Sequence, residues 1–525
     1  MTSLARGGRG RGDVVLAESS RSLVGAASRV MVELGQRGRF HLMNYALMAL
    51  VVFAAAVYGV NYVFLAADVP YRCVVSECEA ANSTQYSPAW LPAALPPAAG
   101  GARAQRCWRR RFNLACQEWK RTLVGTVHNT GMLVSLPILG YVSDRYGALI
   151  SISICIYKNE SLCPLVTASS FSYNYLQCTF SLLFCTLCIF GFSAIELLGQ
   201  EKRVITSAFL SLMLVLGGIC YALLSMAFPY WRTFILVAYP PSLLFLLYIY
   251  LLPESIRWLL SKGRKQEAKK IIMRAAKMNK VTLSDAIMKQ LDEETAAPSE
   301  KTQVAEEEGL WGQVVRSPVM MRRLAACSWW WVTCTFVFYG LAISSVSLAG
   351  DQHTNFMLVV SVELVAVAGN VLALDRIGRK RTLLAAFTVC GLACISIAFV
   401  PKSLPWLQTL LYLVGKVGIT QAFSAVYMYT SELFPTRARH SLLGFCSMLG
   451  RLGSIVAPQM PLLAVYVEWL PSVLFGSTAL VAGALLLGAP ETLHTQLPDT
   501  MREAELLAAL CMGLILNIDI TSPPP

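Results

Sequence analysis

The sequence predicts an all-α membrane protein, with twelve transmembrane helices in two pseudo-symmetric six-helix halves. Three observations predict it. First, 55% of the 525 residues are hydrophobic, only 14% are charged and the mean hydropathy is +0.54. A typical soluble domain carries about 25% charged residues, so this chain lacks the polar surface that water would require. Second, the charges collect in a few segments separated by apolar stretches near the roughly 20 residues that cross a bilayer. Third, motifs in the first half recur in the second half in the same order.

The chain opens on an Arg-rich stretch, 1–41, with Arg6, Arg9 and Arg11 among glycines. It reads as a cytoplasmic tail that obeys the positive-inside rule rather than as an RNA-binding tract, so no nucleic-acid partner is expected. No apolar core precedes the first span, which is therefore expected to serve as an uncleaved signal anchor. The net charge of +13 falls largely in this tail and in a central loop, both facing anionic inner-leaflet lipid.

Spans are expected near 42–66, 122–142, 148–170, 175–198, 204–228 and 233–252 in the first half. The second half places them near 324–347, 354–374, 382–400, 404–430, 441–468 and 471–489. The N-terminal half is thus 42–252, the central cytoplasmic loop 253–323, the C-terminal half 324–489 and the C-terminal tail 490–525. An even number of spans puts both termini on the cytoplasmic side.

The connection 67–121 holds Cys73, Cys78, Cys107 and Cys116 and the sequon Asn82-Ser83-Thr84. Four cysteines and a glycosylation acceptor in one loop predict an oxidising, extracellular location with disulfides and glycosylation at Asn82. Four cysteines can pair in three ways, and the spacing does not choose among them. In the central loop, Ala268, Ile271, Ile272 and Ala275 recur at helical spacing among lysines and arginines. They predict an amphipathic helix lying on the inner membrane surface.

The repeats set the symmetry. Asp144-Arg145-Tyr146-Gly147 follows the second span and Asp375-Arg376-Ile377-Gly378 the eighth. Glu196 and Arg203 after the fourth span match Glu432 and Arg439 after the tenth, and Pro253-Glu254 matches Pro490-Glu491. The offsets are 231, 236 and 237 residues. Parallel six-span halves around a midplane cavity are a recurring transporter plan. The charges Asp144, Arg145, Glu196, Arg203, Glu254, Arg257, Asp375, Arg376, Arg379, Glu432, Arg437, Arg439 and Glu491 all fall at cytoplasmic span ends. They are expected to form an inner gate whose ion pairs break and reform as the halves rock.

Gly140-Tyr-Val-Ser-Asp144-Arg145-Tyr-Gly147 resembles the signature loop of the major facilitator superfamily. Leu34-Gly-Gln-Arg-Gly38-Arg39-Phe40, Pro70-Tyr-Arg-Cys73, Pro253-Glu-Ser-Ile-Arg257-Trp258 and Tyr427-Met-Tyr429-Thr-Ser-Glu432-Leu-Phe-Pro435 narrow the resemblance. With Pro490-Glu-Thr-Leu and the cysteine-bearing first loop, the chain from about 34 to 505 is similar to the organic cation, organic anion and carnitine transporter family, solute carrier family 22. The resemblance implies the major facilitator fold, a plasma-membrane location, a small organic ion as substrate and no cofactor.

Charges inside spans are costly, so each is expected to face the cavity or a partner. Glu363, Lys416 and Arg451 are such charges. Glu363 and Lys416 could also form a structural pair tying two helices. Arg451 stands in Gly450-Arg451-Leu-Gly453-Ser-Ile, which resembles the anion and carnitine members; an arginine there would bind carboxylate bidentately. Organic anions or zwitterions such as carnitine are therefore expected over simple cations, which Glu363 could still receive. Trp329, Trp330, Trp331, Phe338, Tyr339 and Tyr427 offer flat apolar faces, and Tyr339 and Tyr427 lie inside the family-like motifs.

Residues 148–178 depart from the pattern, because Lys158-Asn159-Glu160 interrupts the third span. That departure keeps open a transport-dead member acting as scaffold or sensor; a sugar porter is the other alternative. No metal-ligand spacing and no phosphate-binding Gly-rich loop is present, so neither an enzyme nor ATP drive is expected.

Overall fold

The structure is a computed structural model. It describes residues 38–59, 73–74, 106–107, 122–134 except 124, 203–254 except 229, 230 and 239, 256, 259, 264–281, 312–435 except 349 and 402, and 439–493. Spans three and four, Asp144, Arg145, Glu196, Arg257, Arg437, Asn82, Cys78 and Cys116 lie outside the described residues.

The described residues are helical apart from a two-residue antiparallel ladder, β1 (Cys73–Val74) with β2 (Arg106–Cys107). Among the described residues, eight helices are long and apolar enough to span a bilayer. Helix α1 is Arg39–Gly59, and α2 is the helical stretch 125–134 with 122–123 just before it. Helix α3 is Arg203–Ala227 and α4 is Trp231–Ala238. The sixth span then continues through a 3₁₀ segment, Pro240–Leu247, and the short α5, Tyr248–Leu251. Pro240 and Pro241 have no N–H to donate, so the regular helix stops there.

Helix α6, Lys265–Asn279, belongs to the central loop. Here the sequence expectation needs correcting. Its apolar residues Ala268, Ile272, Ala275 and Ala276 are buried against protein rather than laid on lipid. Asn279 accepts a hydrogen bond from the Phe40 N–H at 2.9 Å, which ties the helix to the start of α1.

The second half is α7 (Pro318–Ser344), α8 (Gln352–Ser361), α9 (Glu363–Ala373), α10 (Arg379–Ile397), α11 (Pro405–Leu433), α12 (Arg439–Val456), α13 (Met460–Tyr466) and α14 (Leu470–Leu487). Local chemistry marks the starts. Ser317 caps α7 by accepting from the Met320 N–H, with Pro318 in the first turn. Asp351 caps α8 by accepting from the N–H and the hydroxyl of Thr354, both at 2.8 Å. These donors hold the Asp351 carboxyl below the usual carboxylate range. α8 and α9 are one span broken at Val362, and the break sets Glu363 at the head of α9.

Lipid offers no hydrophobic drive between helices, so close backbone approach through small residues carries the packing. A Cβ on Gly391 would stand 2.6 Å from Leu480, and one on Gly476 2.5 Å from Ile395, where α10 meets α14. Gly453 lets α12 reach α7, since a Cβ there would meet the Thr335 hydroxyl at 2.6 Å. The ends of the bundle differ. Phe399, Trp406, Tyr466 and Trp469 are exposed at the turns joining α10 to α11 and α13 to α14, as aromatics are at a membrane interface. Asp375, Arg379, Glu432 and Glu491 gather at the other end, called here the charged end.

Candidate functional site

Within the described spans, charge and aromatic surface meet between α7, α9 and α11. Lys416 on α11 has no exposed surface, and its Nζ lies 2.9 Å from Glu363 Oε1 at the head of α9. The same Nζ stands 3.4 Å from the centre of the Phe338 ring on α7 and donates to the Phe338 carbonyl at 3.4 Å. The pair is therefore joined by a cation–π contact. Removing one partner of such a pair leaves a buried charge, which costs far more than the pair contributes to stability.

An aromatic wall continues from the pair. Phe338 stacks on Phe423 with centroids 5.4 Å apart, and Tyr427 meets Phe423 edge-on at 5.7 Å. Tyr427 also packs edge-on against Trp331 at 4.3 Å, while the Trp331 indole N–H donates to Thr430 at 3.2 Å. Helical rotation sorts the three tryptophans. Trp329 is 39% exposed, Trp330 is buried and donates to the Ala482 carbonyl, and Trp331 alone joins the wall.

Of the predicted residues, Glu363, Lys416 and Tyr427 come together in this region. Tyr339 is buried and packs edge-on behind Phe338 at 5.5 Å, so its neighbour is the residue that meets the ammonium. Arg451 is 7% exposed on α12, beside the glycines that press that helix against α7. The contacts that join Glu363, Lys416 and Phe338 do not include it. Phe423 was not anticipated, although it lies one turn from Tyr427 and two from Lys416 on one face of α11.

The charged end is built on Glu491. Its Oε1 accepts from the N–H groups of Arg379 (2.8 Å) and Lys380 (3.3 Å) at the start of α10, and from that of Thr492 (3.0 Å). A carboxylate at a helix start satisfies orphan donors and complements the dipole. Arg379 reaches Asp375 at 3.3 Å and Glu432 at 3.4 Å, and the Thr492 hydroxyl donates to Glu432 at 2.5 Å. Gly378 makes room: its φ is +108°, and a Cβ there would stand 2.6 Å from Glu491 Oε2. Arg376 is exposed beside this cluster, and Arg439 is buried at the start of α12, where it donates to the Phe434 carbonyl. Arg203 is the first residue of α3, and Glu254 is half-buried after α5.

Among the described residues, the hydrogen bonds between the two halves lie towards the aromatic end. Thr122 donates to Gln459 Oε1 at 3.2 Å, the Gln459 amide donates to Thr126 at 2.6 Å, and Thr126 donates to the Ile455 carbonyl at 3.2 Å. Ser225 on α3 and His353 on α8 are hydrogen-bonded at 2.9 Å. Tyr221 packs edge-on against Phe356 below them. None of these seam residues stood out in the sequence; Gln459 and His353 sit in no repeated motif.

Eight apolar spans among the described residues, a buried ion pair and a charge cluster at one end are the build of a multi-pass membrane protein, and the family match below makes it a transporter of the major facilitator type. Solved structures share the fold. The major facilitator proton:xylose symporter bound to 6-bromo-6-deoxy-D-glucose gives a TM-score of 0.55 at 16% identity, covering 94% of this chain and 99% of that one. The E. coli xylose transporter in a partially occluded inward-open conformation gives 0.57 at 14% identity, covering 91% and 100%. The chain belongs to the sugar (and other) transporter family, whose profile matches residues 47–502, and within it to solute carrier family 22. Solute carrier family 22 member 3 of Mus musculus is 32% identical over 409 residues, covering 76% of this chain and 72% of the relative. An organic cation transporter protein of Drosophila melanogaster is 28% identical over 517 residues (91% and 94%). Solute carrier family 22 member 13 of Homo sapiens is 29% identical over 524 residues (91% and 93%).

Proposed function

We propose that this chain is a plasma-membrane carrier that moves small organic ions by alternating access, with its charged end and both termini in the cytoplasm. The substrate we favour is an organic anion or, above all, a zwitterion of the carnitine kind. The single observation carrying this reading is the buried Glu363–Lys416 pair beside the Phe338–Phe423–Tyr427 wall. A lone cation taking Glu363 would strand the Lys416 ammonium, and a lone anion taking Lys416 would strand the carboxylate. Each stranded charge costs about 3–5 kcal/mol. A zwitterion replaces both partners at once and strands neither. Arg451, with its neighbours Gly450 and Gly453, supplies a further cation that favours a carboxylate over an ammonium.

On this reading the cytoplasmic cluster of Asp375, Arg379, Glu432 and Glu491 is one half of the inner gate. Asp144, Arg145, Glu196, Arg203, Glu254, Arg257, Arg376, Arg437 and Arg439 supply the remainder. The loop 67–121 is extracellular and glycosylated at Asn82. Its cysteines Cys73, Cys78, Cys107 and Cys116 form disulfides there, and the β1–β2 register brings the backbones of Cys73 and Cys107 opposite one another.

The test is uptake in cells expressing the chain, using labelled carnitine, an aromatic organic anion and a quaternary ammonium, with Arg451→Ala beside the wild type. Carnitine uptake is expected to exceed that of the other two and to fall in the variant. Uptake of the quaternary ammonium alone overturns the substrate reading. Uptake of none, at normal surface expression, moves the protein to a transport-dead role.

A further inference from the structure

Two helical turns from the ion pair, towards the charged end, α3 faces α9 and α11 across a small cleft. Ala208 and Ser211 line one wall; Asn370, Leu374, Ser424 and Met428 line the other. The open volume is about 20 Å³, room for roughly one water-sized group. Asn370 is 6% exposed and follows Glu363 by seven residues on α9, roughly 10 Å along the helix.

The orientation of its amide follows from its partner. Asn370 Nδ2 donates to the Gln421 carbonyl at 3.1 Å. A backbone carbonyl only accepts, so the nitrogen must face it and the oxygen must face away. Asn370 Oδ1 is buried and accepts no hydrogen bond. An unsatisfied buried acceptor is costly, and the described residues that share the cleft with Asn370 are the hydroxyl-bearing Ser211 and Ser424 and apolar side chains. The described lining thus holds an amide with an unsatisfied acceptor and no charged side chain. It suits a single O–H or N–H and gives nothing to a methylated nitrogen.

We infer that this cleft is a second substrate subsite on the cytoplasmic side of the ion pair, in which Asn370 accepts a hydrogen bond from a hydroxyl or N–H of the organic ion. The inference rests on the carrier reading above. The ion pair selects the charged groups, and this subsite selects for one donor on the same molecule. Both walls belong to different halves, so the subsite opens and closes as they move.

The experiment compares substrates that differ by one O–H: carnitine with deoxycarnitine, and choline with ethyltrimethylammonium. Uptake KM is measured for the wild type, Asn370→Leu and Ser211→Ala. The wild type is expected to prefer the hydroxylated member of a transported pair by roughly 2- to 12-fold, the range for one hydrogen bond exchanged against water. Asn370→Leu should erase that preference and leave the deoxy compound unchanged. Because Asn370 also anchors α9 to α11, Ser211→Ala, which leaves the anchor intact, should narrow the preference at normal surface expression. Equal KM values within both pairs for the wild type overturn the subsite and leave the carrier reading standing. A preference that survives both substitutions does the same. Uptake of the aromatic organic anion but of none of these four compounds overturns the subsite alone; uptake of none of the five, at normal surface expression, overturns the carrier reading as well.

Discussion

Gln459 is the side chain whose removal should most directly change which face of the protein is open. It joins the halves through two side-chain hydrogen bonds, from Thr122 and to Thr126, and Thr126 adds a third to the Ile455 carbonyl. When the aromatic end opens, these groups find water. The net value per bond is therefore about 0.5–1.5 kcal/mol rather than the larger gross energy. Gln459→Leu loses two bonds, about 1–3 kcal/mol, which shifts the closed-to-open ratio at that end by roughly 5- to 150-fold. Leucine nearly preserves volume, so helix packing is disturbed little. Hydrogen–deuterium exchange of the purified protein reads the shift directly. Amides of residues 122–134 and 455–466 should exchange faster in the variant, while α10 and α14 stay unchanged. Thr122→Val loses one bond and should produce a smaller shift of the same sign. Equal exchange in Gln459→Leu and wild type would refute the reasoning, because the seam would then contribute nothing to closure.

Two further outcomes follow from the same geometry. Glu363→Gln should destabilise the protein by about 3–5 kcal/mol, since Lys416 has no exposed surface through which to regain water. Glu363→Gln with Lys416→Met should melt nearer the wild type than either single variant in a detergent thermal-shift assay; strictly additive losses would show the pair is not coupled. Gly378→Ala places a methyl against Glu491 at a φ of +108° that only glycine adopts easily, at a cost of about 1–3 kcal/mol. Lower surface expression with a lower melting temperature is expected, and a wild-type melting curve would show that the Glu491 cap is not needed for stability.

The span pattern, the duplicated motifs and the charged residues inside apolar helices were all legible in the sequence. Each rests on local rules: hydropathy over about 20 residues, spacing, and the cost of a charge in lipid. These rules single out Glu363, Lys416, Glu432 and Glu491. They also marked the Glu–Lys pair as one of two open readings. They did not say which ring faces Lys416. Tyr339 stood in the family-like motif, yet Phe338 meets the ammonium, because the rotation of α7 about its axis depends on its packing against α11 and α12. Trp329, Trp330 and Trp331 are chemically alike in the sequence and differ only in the direction a 100° turn per residue sends them. The amphipathic α6 carried its apolar stripe openly, but a stripe does not say whether lipid or protein covers it. Gln459, His353 and Asn370 carried no signal at all, since a polar side chain in a span acquires its role from a partner hundreds or dozens of residues away. The sequence by itself determined the membrane class, the duplicated plan and the residues that could not be left in lipid. The tertiary structure decided which of them meet, because contact between helices depends on their rotation and separation, which small residues along the whole length of each helix set together.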